Sequence, residues 1–240
     1  MKIGLKSGRG ENLAERIYRQ LKKDIFDFRL LPGDRFSENE IAARMGASRT
    51  PVREALFRLE RETYVQVLQR SGWQVKPFDF DYFEELYDVR TVLECAAVRR
   101  LCDLQQPEIL LEDLMRIWRV PPAERLRDVS TLSGLDERFH ETLVEAAGNT
   151  EMARIHHDLT ERLRIIRRLD FTKPPRVDAT YDEHGRILDA IAHHRTEQAL
   201  MMLKAHIETS RNEVRKITLH MLHEARAKGR EPEAAHNNFQ

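Results

Sequence analysis

Apolar residues recur at three- and four-residue spacing along most of this chain, so the pattern predicts helices with two short exceptions. A first helix spans Asn12–Phe28, with Leu13, Ile17, Leu21, Ile25 and Phe28 as its apolar stripe. In LLPGDRFS, Pro32-Gly33 makes a turn and Arg35-Phe36 a brief edge strand. Ser37 and Glu40 then form a capping box for a short helix carrying Ile41, Ala42 and Met45, which Gly46 ends. The chain re-enters a helix at Ser48: in SRTPVREALFRLERE, Ser48 is a capping residue and Pro51 sits in the first turn. Val52, Ala55, Leu56 and Leu59 give that helix one apolar face. Beyond it the period changes to two. Val65 and Val67 alternate with polar residues, Arg70-Ser71-Gly72 turns, and Trp73 and Val75 alternate again. Helix, Gly-containing turn, helix and two-stranded wing together predict a winged helix-turn-helix.

Lys76-Pro77 marks a boundary, and everything beyond it reads as a helical bundle. A long helix over Asp79–Asp103 carries Phe83, Leu86, Val89, Leu93, Ala96, Ala97 and Leu101 as its stripe. Pro107 and Pro121-Pro122 punctuate segments Glu108–Trp118 and Ala123–Ala147, and a helix over Glu151–Leu169 precedes a loop, DFTKPPRVD. Two further helices fill Ala179–His194 and Thr196–Lys228. The expected fold is mainly α: a winged helix-turn-helix over residues 1–76, an all-helical bundle over 77–230, and a polar tail over 231–240 with disordered composition.

Charge changes this picture more than composition does. Forty basic and forty acidic residues cancel overall, yet residues 1–76 hold 16 Lys/Arg against 10 Asp/Glu, and the remainder 24 against 30. A basic first module joined to an acidic second one fits a nucleic-acid binder carrying a non-binding partner domain. Cys95 and Cys102 lie seven residues apart on one helix, a rise of about 10 Å, beyond the roughly 7 Å limit for a disulfide. Unpaired thiols suit a cytoplasmic location, and no apolar run approaches the ~18 residues of a membrane span.

Two constellations carry chemistry. Arg49, Thr50 and Arg53 fall at the N-terminal end of the helix beginning at Ser48, where arginines can bond guanine in the major groove; Arg70, at the wing tip, could reach a phosphate or the minor groove. In the bundle, Asp136 and His140 share the stripe of Phe139 and Leu143. His184 belongs with Ile187, Leu188 and Ile191, and His206 lies one turn beyond Met202 and Leu203. One carboxylate and three imidazoles facing a bundle interior have the chemistry of a divalent-metal site, although each histidine alone reads more simply as a core or surface residue. Arg90, between Leu86 and Leu93, could clamp a carboxylate bidentately or pair with Glu94.

The stretch RIYRQLKKDIFDFRLLPGDRFSENEIAARMGASRTPVREALFRLERE, followed by QRSGWQV, resembles the winged-helix domain of GntR-family bacterial transcription regulators. VRTVLECAAVRRL and LDERFHETLVEAAGN are similar to the helical ligand-sensing domain of its FadR-type branch. The resemblance implies a homodimer that binds palindromic double-stranded operator DNA and answers to a small organic acid. It also implies that Arg49, Thr50 and Arg53 are recognition contacts, Gly72 is at the wing tip, and Asp136, His140, His184 and His206 form a metal set. Many members have an arginine where this chain has Asn39, so one DNA contact there is altered or absent. Zinc is the default ion for so many imidazoles, with nickel, iron or manganese as alternatives. Two other readings stand beside a regulator: a metal-dependent hydrolase, for which no general base beyond Asp136 stands out, and a structural zinc module that would need no Arg90.

Overall fold

The structure is a computed structural model, described over residues 12–69, 72–167 and 174–216; Arg70, the expected tail and the part of the last expected helix beyond residue 216 lie outside the described residues. The chain divides into two compact units between Phe78 and Asp79.

In the first unit α1 (Leu13–Phe26) packs on α3 (Arg49–Arg61), with α2 (Glu38–Met45) against α3. The α1 stripe is buried at Ile17, Leu21 and Ile25, while Leu13, at the first turn, is exposed. Phe28 is buried too, but beyond the helix, in a left-handed conformation at φ 55°. The capping box at α2 forms as its sequence requires, with Glu40 N donating to Ser37 Oγ and Ser37 N to the Glu40 carboxylate. Gly46 ends α2 left-handed. Ser48 precedes α3 in an extended conformation but makes no side-chain cap bond, contrary to its expected role.

β1 (Arg35–Phe36), β2 (Val65–Leu68) and β3 (Gly72–Val75) form an antiparallel sheet in the order β1-β3-β2, pairing Phe36 with Trp73 and Val65 with Val75. Trp73 and Val75 face the core, and Val67 is half-exposed.

The second unit is built around α4 (Phe80–Cys102), which packs against α7 (Val129–Ala146), α8 (Thr150–Arg167), α9 (Pro174–Ala192) and α10 (Thr196–Arg215). Short helices α5 (Pro107–Leu110) and α6 (Glu112–Trp118) connect α4 towards α7. Two expectations change here. The segment DFTKPPRVD is not all loop: α9 begins at Pro174, because proline in a first turn lacks only an N–H that would go unused. The inward stripe of α4 is Phe83, Leu86, Tyr87, Arg90, Glu94, Ala97, Val98 and Leu101, leaving Val89 and Ala96 exposed. Two charged residues therefore occupy core positions. Asn149 Oδ1 accepts from Met152 N at the start of α8, and Cys95 and Cys102 are free thiols.

Gly72 carries a backbone requirement of its own. Its φ is +88°, and a Cβ there would lie 2.7 Å from the Phe36 carbonyl oxygen. Gly72→Ala should therefore destabilise the protein by about 1–3 kcal/mol, seen as an earlier urea midpoint by circular dichroism. A midpoint equal to that of the unsubstituted protein would show that the wing tolerates a side chain at this contact.

Candidate functional site

Burial of Val52, Ala55, Leu56 and Leu59 turns the opposite face of α3 outward. That face presents Arg49, Thr50, Arg53, Glu54 and Phe57, which line a surface concavity of about 410 Å³. Phe57 is half-exposed, with its ring edge-on to Trp73 at 5.4 Å, so the wing supports the exposed face of α3. Arg49 and Arg53 are not loose. Both donate to Glu38 at the start of α2, and these hydrogen bonds hold its carboxyl down at about 2 even though partial burial opposes its charge. Asn39, beside Glu38, is exposed.

In the helical unit the structure brings four residues together. Asp136 and His140 come from one face of α7, His184 from α9 and His206 from α10, and all four are buried. His206 Nε2 lies 3.2 Å from His140 Nε2 and 3.2 Å from His184 Nε2. Asp136 Oδ1 lies 3.4 Å from His184 Nε2, 3.8 Å from His140 Nε2 and 4.0 Å from His206 Nε2. A four-coordinate ion with bonds of ~2.0–2.1 Å sets its donor atoms roughly 3.3 Å apart, so these spacings suit one ion.

The surrounding groups fix which nitrogens face inward. His140 Nδ1 donates to Glu94 Oε2 at 2.6 Å, and His206 Nδ1 donates to Glu183 Oε2 at 2.6 Å. With both Nδ1 atoms engaged by carboxylates, the two Nε2 atoms are turned towards each other at 3.2 Å. Imidazole nitrogens placed in this way can share a proton or ligate a common metal ion. That is the observation by which these residues fit a metal ion, and paired carboxylate–imidazole arrangements are how such ligands are oriented. His184 is stacked on Phe139, with ring centres 3.6 Å apart, and lies 4.2 Å from the Trp118 ring centre. Asp136 Oδ2 accepts from Arg167 Nη2, leaving Oδ1 for the cluster.

Burial, reinforced by the charge of Arg90, pushes His140 down to about 3 despite Glu94 beside it. Burial likewise holds His184 well below the ordinary imidazole value. For Asp136 burial works in the other direction, but its neighbours, Arg167 foremost, together outweigh it and keep the carboxyl below the usual range. The result is two neutral imidazoles beside an ionised carboxylate.

Of the two roles expected for Arg90, the pairing with Glu94 is the one seen. Its Nε donates to Glu94 at 2.6 Å, whereas Nη1 and Nη2 are buried without a hydrogen-bond partner among the described residues. Glu94 also accepts from His156 Nε2 at 3.1 Å, so one carboxylate joins Arg90, His140 and His156. Sequence reasoning placed Glu94 only as a partner for Arg90, and missed His156, Glu183 and Arg167. His156 was visible in principle, since Met152, His156, Leu159 and Leu163 make one helical stripe. Arg167, at the end of its helix, carried no such signal. His206 and Glu183 also line a surface concavity of about 180 Å³ with Arg186, Met202, Ala205 and Thr209.

A winged helix with outward arginines, followed by a helical domain enclosing a polar centre, is the architecture of a ligand-responsive DNA-binding regulator. Residues 13–75 match the family described as bacterial regulatory proteins, gntR family, and residues 85–209 match the FCD domain. The gluconate operon transcriptional repressor of Bacillus subtilis (strain 168) is 31% identical over 72% of this chain and 70% of its own length. The Nta operon transcriptional regulator of Aminobacter aminovorans is 29% identical over 74% of this chain and 82% of its own. Among solved structures, a GntR regulator from Rhodococcus sp. RHA1 has the same fold, with a TM-score of 0.64 at 23% identity over 85% of this chain and 98% of that one. The chain belongs to the GntR family and is a transcription regulator with an FCD ligand-sensing domain, not an enzyme.

The pH behaviour of the centre follows from its burial. Between pH 6.5 and 3 the unfolded chain binds protons on imidazoles that His140 refuses when folded, so stability of the metal-free protein should fall as pH drops through that window. Metal binding by the folded protein should be less sensitive. Three imidazoles titrating near 6.5 would cost roughly a thousandfold in affinity at pH 5.5. The expected loss is at least tenfold smaller, measured by zinc titration at pH 7 and 5.5. A full thousandfold loss would mean the ligand imidazoles titrate as exposed ones do.

Proposed function

We propose that this regulator binds a palindromic operator as a homodimer and that a small organic acid, held at a metal centre in the helical domain, controls it. The observation that carries this reading is the meeting of four ligand atoms with Arg90 through Glu94. Asp136, His140, His184 and His206 would hold one divalent ion, zinc by default for an imidazole-rich set. Such an ion supplies a Lewis-acidic position for a carboxylate oxygen. Arg90 Nη1 and Nη2, buried without partners, offer a second place for the same anion. One relative is named for a gluconate operon, and gluconate belongs to this class of acid.

Arg49, Thr50 and Arg53 would read base edges in the major groove, with the wing at Arg70 and Gly72 beside the backbone. A single recognition helix covers too few base pairs for a useful site, which favours a twofold dimer on a palindrome. The helical domain is the natural dimer surface, because the winged helices must stay free to reach successive half-sites; Val89 and Val92 expose apolar surface on α4 there. In this reading residues 1–76 bind DNA, 77–230 sense and dimerise, and the protein works in the cytoplasm.

The test separates metal from effector. A thermal-shift screen of small organic acids on zinc-loaded protein should find a stabilising acid. His184→Ala should lose both one equivalent of zinc and the acid's shift, while Arg90→Ala should keep the zinc and lose most of the shift. A His184→Ala protein with full zinc content and a normal shift would place the site elsewhere. On the DNA side, Arg49→Ala and Arg53→Ala should each weaken specific binding by about 1–3 kcal/mol. Equal losses on specific and random DNA would instead mean phosphate contacts only.

A further inference from the structure

Arg49 and Arg53 stand four residues apart at the start of α3, where two like charges on one helix face repel. One carboxylate holds them together. Arg49 donates to Glu38 Oε2 from Nε at 3.2 Å and from Nη2 at 2.9 Å. Arg53 donates from Nε to Oε1 at 2.9 Å and from Nη2 to Oε2 at 2.9 Å. Both guanidiniums therefore meet Glu38 along the same side edge, and each keeps its Nη1–Nη2 end for another pair of acceptors. That end is the fork that fits guanine O6 and N7.

Glu38 is placed to hold this geometry. It occupies the first turn of α2, next to a closed capping box, and α2 is anchored by buried Ile41 and by Arg44, which pairs with Asp24 of α1 at 2.9 Å. The Glu38 side chain is 15% exposed against 59% for Arg49 and 50% for Arg53, so the carboxylate lies beneath the arginines rather than beside them. It cannot easily serve as a base contact itself, but it can aim the two groups above it.

We propose that Glu38 is a specificity-determining positioning residue, which sets Arg49 and Arg53 end-on towards the base edges and halves the net positive charge of the cluster. The halved charge weakens indiscriminate attraction to phosphates, and the fixed forks favour guanine at set positions. The inference rests on the reading that α3 enters the major groove.

The experiment uses the full chain and two DNA probes: a duplex enriched by the wild-type protein from a randomised pool, and the unselected pool. Glu38→Gln should bind the enriched duplex roughly tenfold more weakly, the loss of about one base-contact's worth of discrimination. It should bind the unselected pool severalfold more tightly, with a salt dependence steeper by ~0.9 in log–log slope for the added charge. Glu38→Asp keeps the charge but is one methylene too short to reach both arginines. It should leave pool binding and its salt slope as in the wild type, yet still weaken the enriched duplex, and a merely electrostatic or folding role would not divide in this way. Parallel tightening of Glu38→Gln on both probes would overturn the proposal, as would wild-type discrimination by either variant. If Arg49→Ala and Arg53→Ala bind the enriched duplex as the wild type does, the recognition-helix reading fails first and the role of Glu38 falls with it.

Discussion

The helical domain depends on the burial of Glu94. An ionised carboxylate in a protein interior is costly unless its neighbours return what water gave. Arg90, His140 and His156 do this from α4, α7 and α8, so one side chain ties three helices together. The same bond from His140 Nδ1 decides which lone pair faces the centre, and Glu183 does the equivalent for His206. Ligand orientation is thus a by-product of satisfying buried charge. Apolar packing then locks His184, whose Nδ1 has no hydrogen-bond partner among the described residues, between Phe139 and Trp118.

The DNA-reading unit uses related chemistry at its surface. There a carboxylate beneath two guanidiniums orders side chains that would otherwise sample many rotamers, at a site open to solvent where an isolated ion pair contributes little to stability. The contrast in burial explains the contrast in role. Inside the bundle, carboxylates sustain the fold and the centre together; on α2, Glu38 bears on geometry and charge, and little on folding.

Most of the architecture was legible because the periods were clean: 3.6 through the helices, two through the wing, with turn glycines between. Asp136, His140, His184 and His206 were legible for a related reason, since each shares an apolar stripe that can only point inward. The failures have physical causes. Arg90 and Glu94 break the apolar pattern on α4, so a stripe drawn through hydrophobic residues alone slid towards Val89 and Ala96, which are exposed. Pro174 and Pro175 looked like loop residues because proline disrupts helix interiors, although the first turn accepts it. Ser48 has the right chemistry for a cap, but nothing in the sequence determines whether its hydroxyl turns towards the helix. The partners of the metal set come from distant helices, and no local spacing could pair Glu94 with His140 across 46 residues.

What remains unsatisfied in the core is as informative as what is paired. Buried polar atoms in folded proteins nearly always find partners, and each one that does not costs about 1–3 kcal/mol. Here Nη1 and Nη2 of Arg90 and Nε of Arg167 lack partners among the described residues, and both arginines are bonded to carboxylates that touch the centre or its ligands. A sequence selected only for stability would replace them with apolar side chains of similar volume. Their place beside Asp136 and His140 fits the effector reading proposed above, because donors without protein acceptors suit an anion. On that reading a bound acid would offset part of this cost, and the helical domain's stability, and hence its conformational balance, would change with it.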